Sequence, residues 1–415
     1  VTHDPGAARS NAPCGALGCP RLTVMSGLDL FPKPHRVRRG AALTLVFAGV
    51  LATGVATGSW NTEPGQSRKS ASGSLGSVSA AHEQAVTEAA AEAMADGKNV
   101  TEAAERAVSR SGDRWGAVYS PDEYEKFEQA LEGEYTGVGL WARRAEDGRI
   151  QVARVQSGGP AERAGIRAGD WLRTVDGERI AGRPTTEVVA LLRGDEKSAA
   201  AGSPVTLGMQ RGTRAWSVTL HRALLSTDSV TVRKLRGGAV LIKIASFTKG
   251  TGDRVRSAVR DAPAGAGILL DLRGNSGGLV SEAATAASAF LDGGLVATYD
   301  VRGEEHALHA ERGGDTERPV VALVDGGTMS AAELLAGALQ DRGRAIVVGS
   351  RTFGKGSVQM PSRLPGGSVA ELTVGHYRTP SGRAVDGRGI TPDLEAGKGA
   401  QKQAETVLSG LGSPS

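Results

Sequence analysis

Two residues in the last quarter of the chain carry the most chemistry. Ser330 lies at the turn ahead of a helical apolar pattern, and Lys355 lies in a Gly-rich loop. A serine hydroxyl that attacks, with a neutral amine to take its proton, suffices for nucleophilic hydrolysis. A lysine with its ordinary pKa near 10.4 is protonated at neutral pH and is no base. Lowering it to about 7–8 requires burial away from carboxylates, a shift of about 3 units or roughly 4 kcal/mol that the folded site must supply. The plain alternatives are a helix-capping serine and a surface lysine; the segments around the pair weigh against them.

Those segments read as alternating strands and helices. Pro319–Val324 is a continuous apolar run, as in a buried strand, and Asp325–Thr328 is a turn. From Ser330 to Arg342, Leu334, Leu335, Ala338 and Leu339 recur at helical spacing, and Gly343 is placed to end the helix. Ala345–Gly349 is a second buried strand. Ser330 thus falls at a helix N-terminus, where free N–H groups favour developing negative charge. Gly349 to Lys355 fits G-x-x-x-x-G-K, but Gly356 stands where a phosphate-binding loop needs Ser or Thr, and an extended segment follows instead of a helix. Nucleotide binding is rejected. Gly354 and Gly356 let the backbone approach closely. In an extended segment Lys355 and Gln359 share a face, so Gln359 is expected to orient the amine.

Gly327–Leu334, Ala338–Asp341 and Thr352–Gln359 resemble the carboxyl-terminal processing peptidases, or tail-specific proteases. The resemblance implies a triad of Ser330, Lys355 and Gln359. The family usually writes Ser-Ala-Ser-Ala-Ser-Glu at the nucleophile; here Thr328–Glu333 retains only the middle serine, Ser330. Asp271–Gly278 resembles the family's Asp-Leu-Arg-x-Asn-x-Gly-Gly signature, which implies an oxyanion hole from Gly277 or Gly278 with the N–H of Ala331. Tyr377–Arg383 and Gly389–Asp393 match its end-of-core signature, and Asp113–Phe127 resembles an upstream Tyr/Pro segment. Glu333 and Asp341 are read as structural hydrogen-bonding groups, and none of the seven histidines lies in the catalytic motifs.

Between the helical start and this core, Tyr135–Leu140 is a Gly-rich loop entering a strand, and Ser157–Asp170 and Trp171–Val175 follow. Asp176-Gly177 signals a hairpin, and Thr186–Leu192 a short amphipathic helix. The pattern resembles a PDZ domain, which takes a peptide as an added strand and captures its terminal carboxylate on loop amides. That role falls to Gly137, Val138, Gly139 and Leu140.

Arg36, Arg38 and Arg39 precede an uncharged stretch, Ala41–Gly58, whose eighteen residues span about 27 Å as a helix. It is read as a membrane anchor with the remainder outside the cytoplasm, or as a cleaved signal peptide that would leave the protein secreted. Met25 is an alternative start, and both cysteines, Cys14 and Cys19, precede it. A formal charge of +4 and 4% aromatics give nucleic-acid stacking no support.

The expected fold is mixed α/β and β: a crotonase-like or ClpP-like peptidase core with an inserted PDZ domain and an N-terminal helical arm behind a single transmembrane or signal segment. The expected boundaries are an N-terminal segment 1–40, the anchor or signal segment 41–58, a Gly/Ser-rich linker 59–80, the helical region 81–130, the PDZ domain 131–223, the core 224–395 and a loose tail with one short helix, 396–415. No metal or cofactor is required. The expected partners are proteins with exposed C-termini, with homodimer contacts through the helical arm by family analogy. The expected function is an extracytoplasmic serine endopeptidase acting on unstructured C-terminal regions through an acyl-enzyme. The rivals are a tethered PDZ receptor with an inactive peptidase fold and an acyl-CoA enzyme of the crotonase type.

Overall fold

The computed structural model describes residues 23–24 and 72–411, apart from 146, 184, 195–199 and 302. The anchor or signal segment 41–58, Met25 and the two cysteines lie outside the described residues. Among the described residues no helix is long and apolar enough to cross a membrane.

After the two-residue strand β1 (Thr23–Val24), helix α1 (Ser72–Ala95) begins inside the stretch expected to be linker. The Ala-rich segment nucleates a helix, and extending a helix N-terminally is far easier than starting one. Gly97, at φ 65°, breaks it, and Asn99 caps α2 (Val100–Ser111) by accepting from the N–H of Glu102. Val86, Ala90, Ala104 and Val108 of this pair pack on the core strand that carries Ala370 and Leu372. Strand β2 (Ala117–Tyr119) follows, then α3 (Pro121–Leu131), where Ser120 and Glu123 form a capping box ahead of Pro121.

β3 (Glu134–Gly137) leads into a sheet formed by β4 (Leu140–Arg144), β5 (Ile150–Val155) and β6 (Trp171–Val175), with α4 (Pro160–Arg163) between the last two. Asp176 and Gly177, both at positive φ, turn β6 into β7 (Glu178–Arg179), as the Asp-Gly pair requires. α5 (Thr185–Arg193), β8 (Pro204–Arg211) and β9 (Arg214–His221) complete the module. Its strand order β4-β5-β6-β8-β9 leaves β4 at an edge, with α5 packed beside it. β10 (Ala223–Ser226) returns antiparallel to β3, so the module enters and leaves through one ladder.

The core begins with β11 (Val230–Lys234), β12 (Val240–Ile244), α6 (Thr251–Arg260), β13 (Ile268–Asp271), β14 (Gly278–Leu279) and α7 (Val280–Ala287). It continues through the hairpin β15 (Leu295–Val301) and β16 (Glu304–His309), then β17 (Val320–Val324), α8 (Ala331–Asp341) and β18 (Ile346–Gly349). β19 (Ser357–Arg363), β20 (Val369–Arg378), β21 (Leu394–Glu395) and α9 (Ala400–Leu411) end it. One sheet has the order β11-β12-β13-β17-β18-β21, parallel except for β11. Its inner strands β13, β17 and β18 are almost wholly apolar because both faces are covered, whereas the edge strand β11 is mostly exposed. Ile268, Leu270, Val320 and Ala322 meet α6, α7 and α8, while Leu269, Val321 and Leu323 meet α9. The tail is therefore not loose: Ala400, Ala404 and Leu408 form an i, i+4, i+8 stripe that docks α9. The second sheet has the order β14-β1-β19-β20-β15-β16, with β2 on β20; β1 places Thr23 opposite Gln359 and Val24 opposite Gly278.

Candidate active site

Ser330 closes the turn between β17 and α8, one residue ahead of the helix rather than within it, as the sequence pattern suggested. Asp325 shapes the turn by accepting from the N–H groups of Gly327 and Gly274, and Thr328 Oγ1 donates to the carbonyl of Leu272. The turn leaves Ser330 at φ 56° and ψ −121°. Among the described residues only Asp176 shares a positive φ without being glycine. Such a conformation costs about 1–3 kcal/mol and persists where the surroundings over-determine it. Ser330 is fully buried, and its Oγ has no hydrogen-bond partner.

The Gly-Gly turn cradles this residue. A Cβ on Gly277 would lie 2.9 Å from Ser330 Cβ and 3.3 Å from the nitrogen of Ala331, and one on Gly278 would lie 2.2 Å from the carbonyl oxygen of Phe247. Both positions must therefore be glycine. The N–H of Gly277 already donates to Asn275 Oδ1, Gly278 pairs with Val24 of β1, and the nitrogen of Ala331 lies against Gly277.

Lys355 arrives from the other side. No helix follows it; β19 does. A Cβ on Gly356 would lie 2.3 Å from the nitrogen of Asp386, so this glycine permits the close approach. The lysine is 1% exposed, and burial pulls its pKa down to about 7, against Glu371, Asp113, Asp386 and Glu333, whose charges pull it up. The amine lies 5.1 Å from the centre of the Trp115 ring, which also packs against Phe353.

Glu333 joins the two sides. Its Oε2 accepts from the N–H of Ser330 and of Lys355, and its Oε1 from Thr352 Oγ1 and the N–H of Gly354. Burial pushes its carboxyl upward while the four donors pull it back; with every partner donating, the site accommodates the ionised form. Tyr377 makes a second tie, its hydroxyl lying 2.9 Å from the carbonyl oxygen of Ser330 and 3.1 Å from that of Lys355. These ties hold the backbones together. They leave Ser330 Oγ without a hydrogen bond to the lysine amine.

Gln359 is buried in the same region, but its amide nitrogen donates to Ser357 Oγ and Thr373 Oγ1, and its Oε1 has no partner. It does not hold the lysine amine: Lys355 lies two residues ahead of β19, in the Gly-flanked loop, so the strand alternation that the sequence reading assumed does not reach it. Asp113 anchors the arm by accepting from the N–H and Oγ1 of Thr373 and from the N–H groups of Trp115 and Gly116. Among the described residues, five buried side-chain polar atoms lack a partner, and four of them belong to Ser330, Gln359 and Glu371. A buried polar group without a partner calls for an explanation, and a catalytic role is one.

In the inserted module, Gly137 ends β3, and the carbonyls of Val138 and Gly139 accept from Ala161 and Gln156. Leu140 opens β4, the edge strand beside α5.

Residues 239–396 match peptidase family S41, and residues 151–201 match a PDZ domain. A carboxy-terminal-processing protease of Bartonella bacilliformis is 32% identical over 310 residues, covering 72% of this chain and 70% of that protein. The chain belongs to the carboxyl-terminal processing peptidases. A probable CtpA-like serine protease of Staphylococcus aureus is 33% identical over 293 residues, covering 69% of this chain but only 58% of that protein. Among solved structures, a photosystem II D1 C-terminal processing protease is 27% identical, covers 82% of this chain and 98% of its own, and superposes with a TM-score of 0.48.

In this S41 peptidase, reading the sequence understated Glu333 and missed Trp115, Tyr377 and Glu371. Asp113, Trp115 and Tyr377 lie inside segments that carried the resemblance, without a role assigned to them. Glu371 had a fainter signal, a lone charge in the strand pattern Val369–Val374. Asp341 has the structural role expected, bonded to Ser381 and Arg383.

Proposed function

We propose that this peptidase is an extracytoplasmic serine endopeptidase that cleaves unstructured C-terminal regions of proteins, with Ser330 as nucleophile and Lys355 as general base. The observation that carries the reading is the buried Lys355, its amine held near neutrality, tied through Glu333 to the strained Ser330. Lys355 takes the hydroxyl proton as Oγ attacks the peptide carbonyl. The N–H groups of Gly278 and Ala331 receive the developing oxyanion. The resulting ammonium returns its proton to the leaving nitrogen, and water releases the acyl-enzyme. Gln359 presents an unpaired amide oxygen at the same place, suited to a backbone N–H of the substrate.

The opening between β14 and β19 accepts one strand, since β1 pairs with both. A folded domain does not fit such a slot, which favours unstructured tails. The free edge of β4 beside α5, reached from the loop Gly137–Leu140, suits the substrate's C-terminal residues added as a strand. The arginines ahead of the uncharged stretch 41–58 support a location outside the cytoplasm. The arm of α1 to α3 is the part we assign to any contact with a second copy.

The test is degradation of an unfolded reporter with a free apolar C-terminus by the full chain, beside its Ser330→Ala form. Cleavage by the parent alone supports the reading, whereas equal cleavage by both removes Ser330 as nucleophile.

A further inference from the structure

β20 lies between β19 and β2, with Glu371 opposite Pro361 on one side and Ala117 on the other. Ala370, Leu372 and Val374 point into apolar clusters, so Glu371 and Thr373 lie on the other face, the one reached by Gln359 and by Asp113 of the arm. Glu371 is fully buried, and neither carboxyl oxygen has a hydrogen-bond partner. A lone ionised carboxylate in such a place carries a desolvation penalty of several kcal/mol. Among the described residues Lys355 is the cation that acts on it, and Glu371 is in turn the strongest charge acting on Lys355. Burial pushes the Glu371 carboxyl up to about 8, with Glu128 adding to the rise.

The other groups around the pair do not replace this relationship. Asp113, Asp386 and Glu333 also act on Lys355 but hold hydrogen bonds elsewhere, while Tyr119 and Tyr124 feel Glu371 and are themselves pushed up by burial.

We propose that Glu371, buried and unpaired on the face shared with Gln359 and Asp113, is a positioning residue for Lys355: the two groups are not hydrogen-bonded, one proton distributes over them, and its location decides whether the amine is free to take the proton of Ser330. In one arrangement the proton is on the Glu371 carboxyl and the amine is a base. In the other the O–H bond has broken, an N–H bond has formed on Lys355, and the ammonium faces a carboxylate and cannot act. Net charge is the same in both. Ionised Glu371 therefore restrains the base, and coupled groups of this kind lose their protons in two steps that belong to the pair. The inference rests on Lys355 being the base.

The experiment is the pH profile of kcat/KM for the full chain and for Glu371→Gln, on an unfolded substrate with a free C-terminus. With the shared proton removed, the acid limb is expected to move down by about one pH unit and become a single step. That shift makes the variant about tenfold faster on the limb. An active variant whose limb superimposes on the parent's would overturn the inference. A second measurement needs no change at Glu371: the ¹⁵N resonance of the Lys355 amine, identified by its absence in Lys355→Met, followed through pH in Ser330→Ala. Two titration steps support the shared proton, and one step overturns it. Retained turnover in Lys355→Met would instead remove Lys355 as base, whatever the titration shows.

Discussion

Ser330 and Lys355 donate their backbone N–H groups to the same oxygen, Oε2 of Glu333, each over 2.8 Å. The residues at either end of the proposed proton transfer are thus registered by one carboxylate. In Glu333→Gln, whichever oxygen becomes an NH₂ group opposes two donors. We expect kcat to fall about 100-fold and stability to fall by about 3 kcal/mol, as for other broken buried networks. Turnover rates and denaturant unfolding measure the two effects, and a variant with parental kcat would remove Glu333 as the tie.

The backbone of Ser330 gives a separate prediction. At φ 56° a residue with a β-carbon is strained and glycine is not. Ser330→Gly should be more stable than Ser330→Ala by about 1 kcal/mol, with both inactive. Equal unfolding midpoints for the two would show that the elbow stores no strain.

The proposed role of Lys355 as base requires its neutral amine, so kcat/KM should rise with pH through about 7, the value to which burial pulls it. Trp115 covers that amine. In Trp115→Ala water reaches it, and the pKa moves up toward its ordinary value near 10.4. The acid limb should shift to higher pH, with at least a tenfold loss at pH 7 that is recovered at pH 9. Trp115→Phe should lie between the two, and an unmoved limb would assign Trp115 to packing alone.

Stability should carry the same signatures. From about 7 to its ordinary value, Lys355 holds fewer protons in the folded state than in the unfolded state, so its contribution strengthens as pH rises. From its ordinary value to about 8, Glu371 holds more protons when folded, so its contribution weakens as pH rises. Each slope reaches about 1.4 kcal/mol per pH unit, and the two oppose one another near neutrality. Lys355→Met should abolish turnover, stabilise the fold at pH 7 by about 2 kcal/mol and remove the climb above pH 8. Unfolding at several pH values reads this, and a parental alkaline slope in the variant would contradict it.

Capture of a terminal carboxylate by the loop Gly137–Leu140 predicts that amidating a substrate's C-terminus raises KM about tenfold and changes kcat less. Equal constants for the acid and the amide would remove the loop from substrate delivery.

The parallel sheet was legible because strands covered on both faces are written as unbroken apolar runs, as at Val320–Val324. Ser330, Lys355 and the Gly-Gly turn were legible because each has a local punctuation of its own. What escaped depended on long-range register. Lys355 falls in the loop ahead of β19 and not in the strand with Gln359, and the pairing of β20 with β19 and β2 fixes where Glu371 lies. Trp115 reaches Lys355 only because Asp113 binds Thr373 across 260 residues of chain. A short helix in the tail was expected, but its docking was missed because a stripe of two alanines and a leucine is a weak apolar signal.

The β3–β10 ladder, with Gly137 opposite Ala223 and Glu134 opposite Ser226, makes the PDZ module one long loop pinned at its neck. To the peptidase core, unfolding that module amounts to lengthening a loop, at about 0.6 kcal/mol for each doubling. Over the residues between Gly137 and Ala223 that is about 3 kcal/mol, so a melted module would weaken the core by its loop closure while leaving the core's own apolar cluster in place.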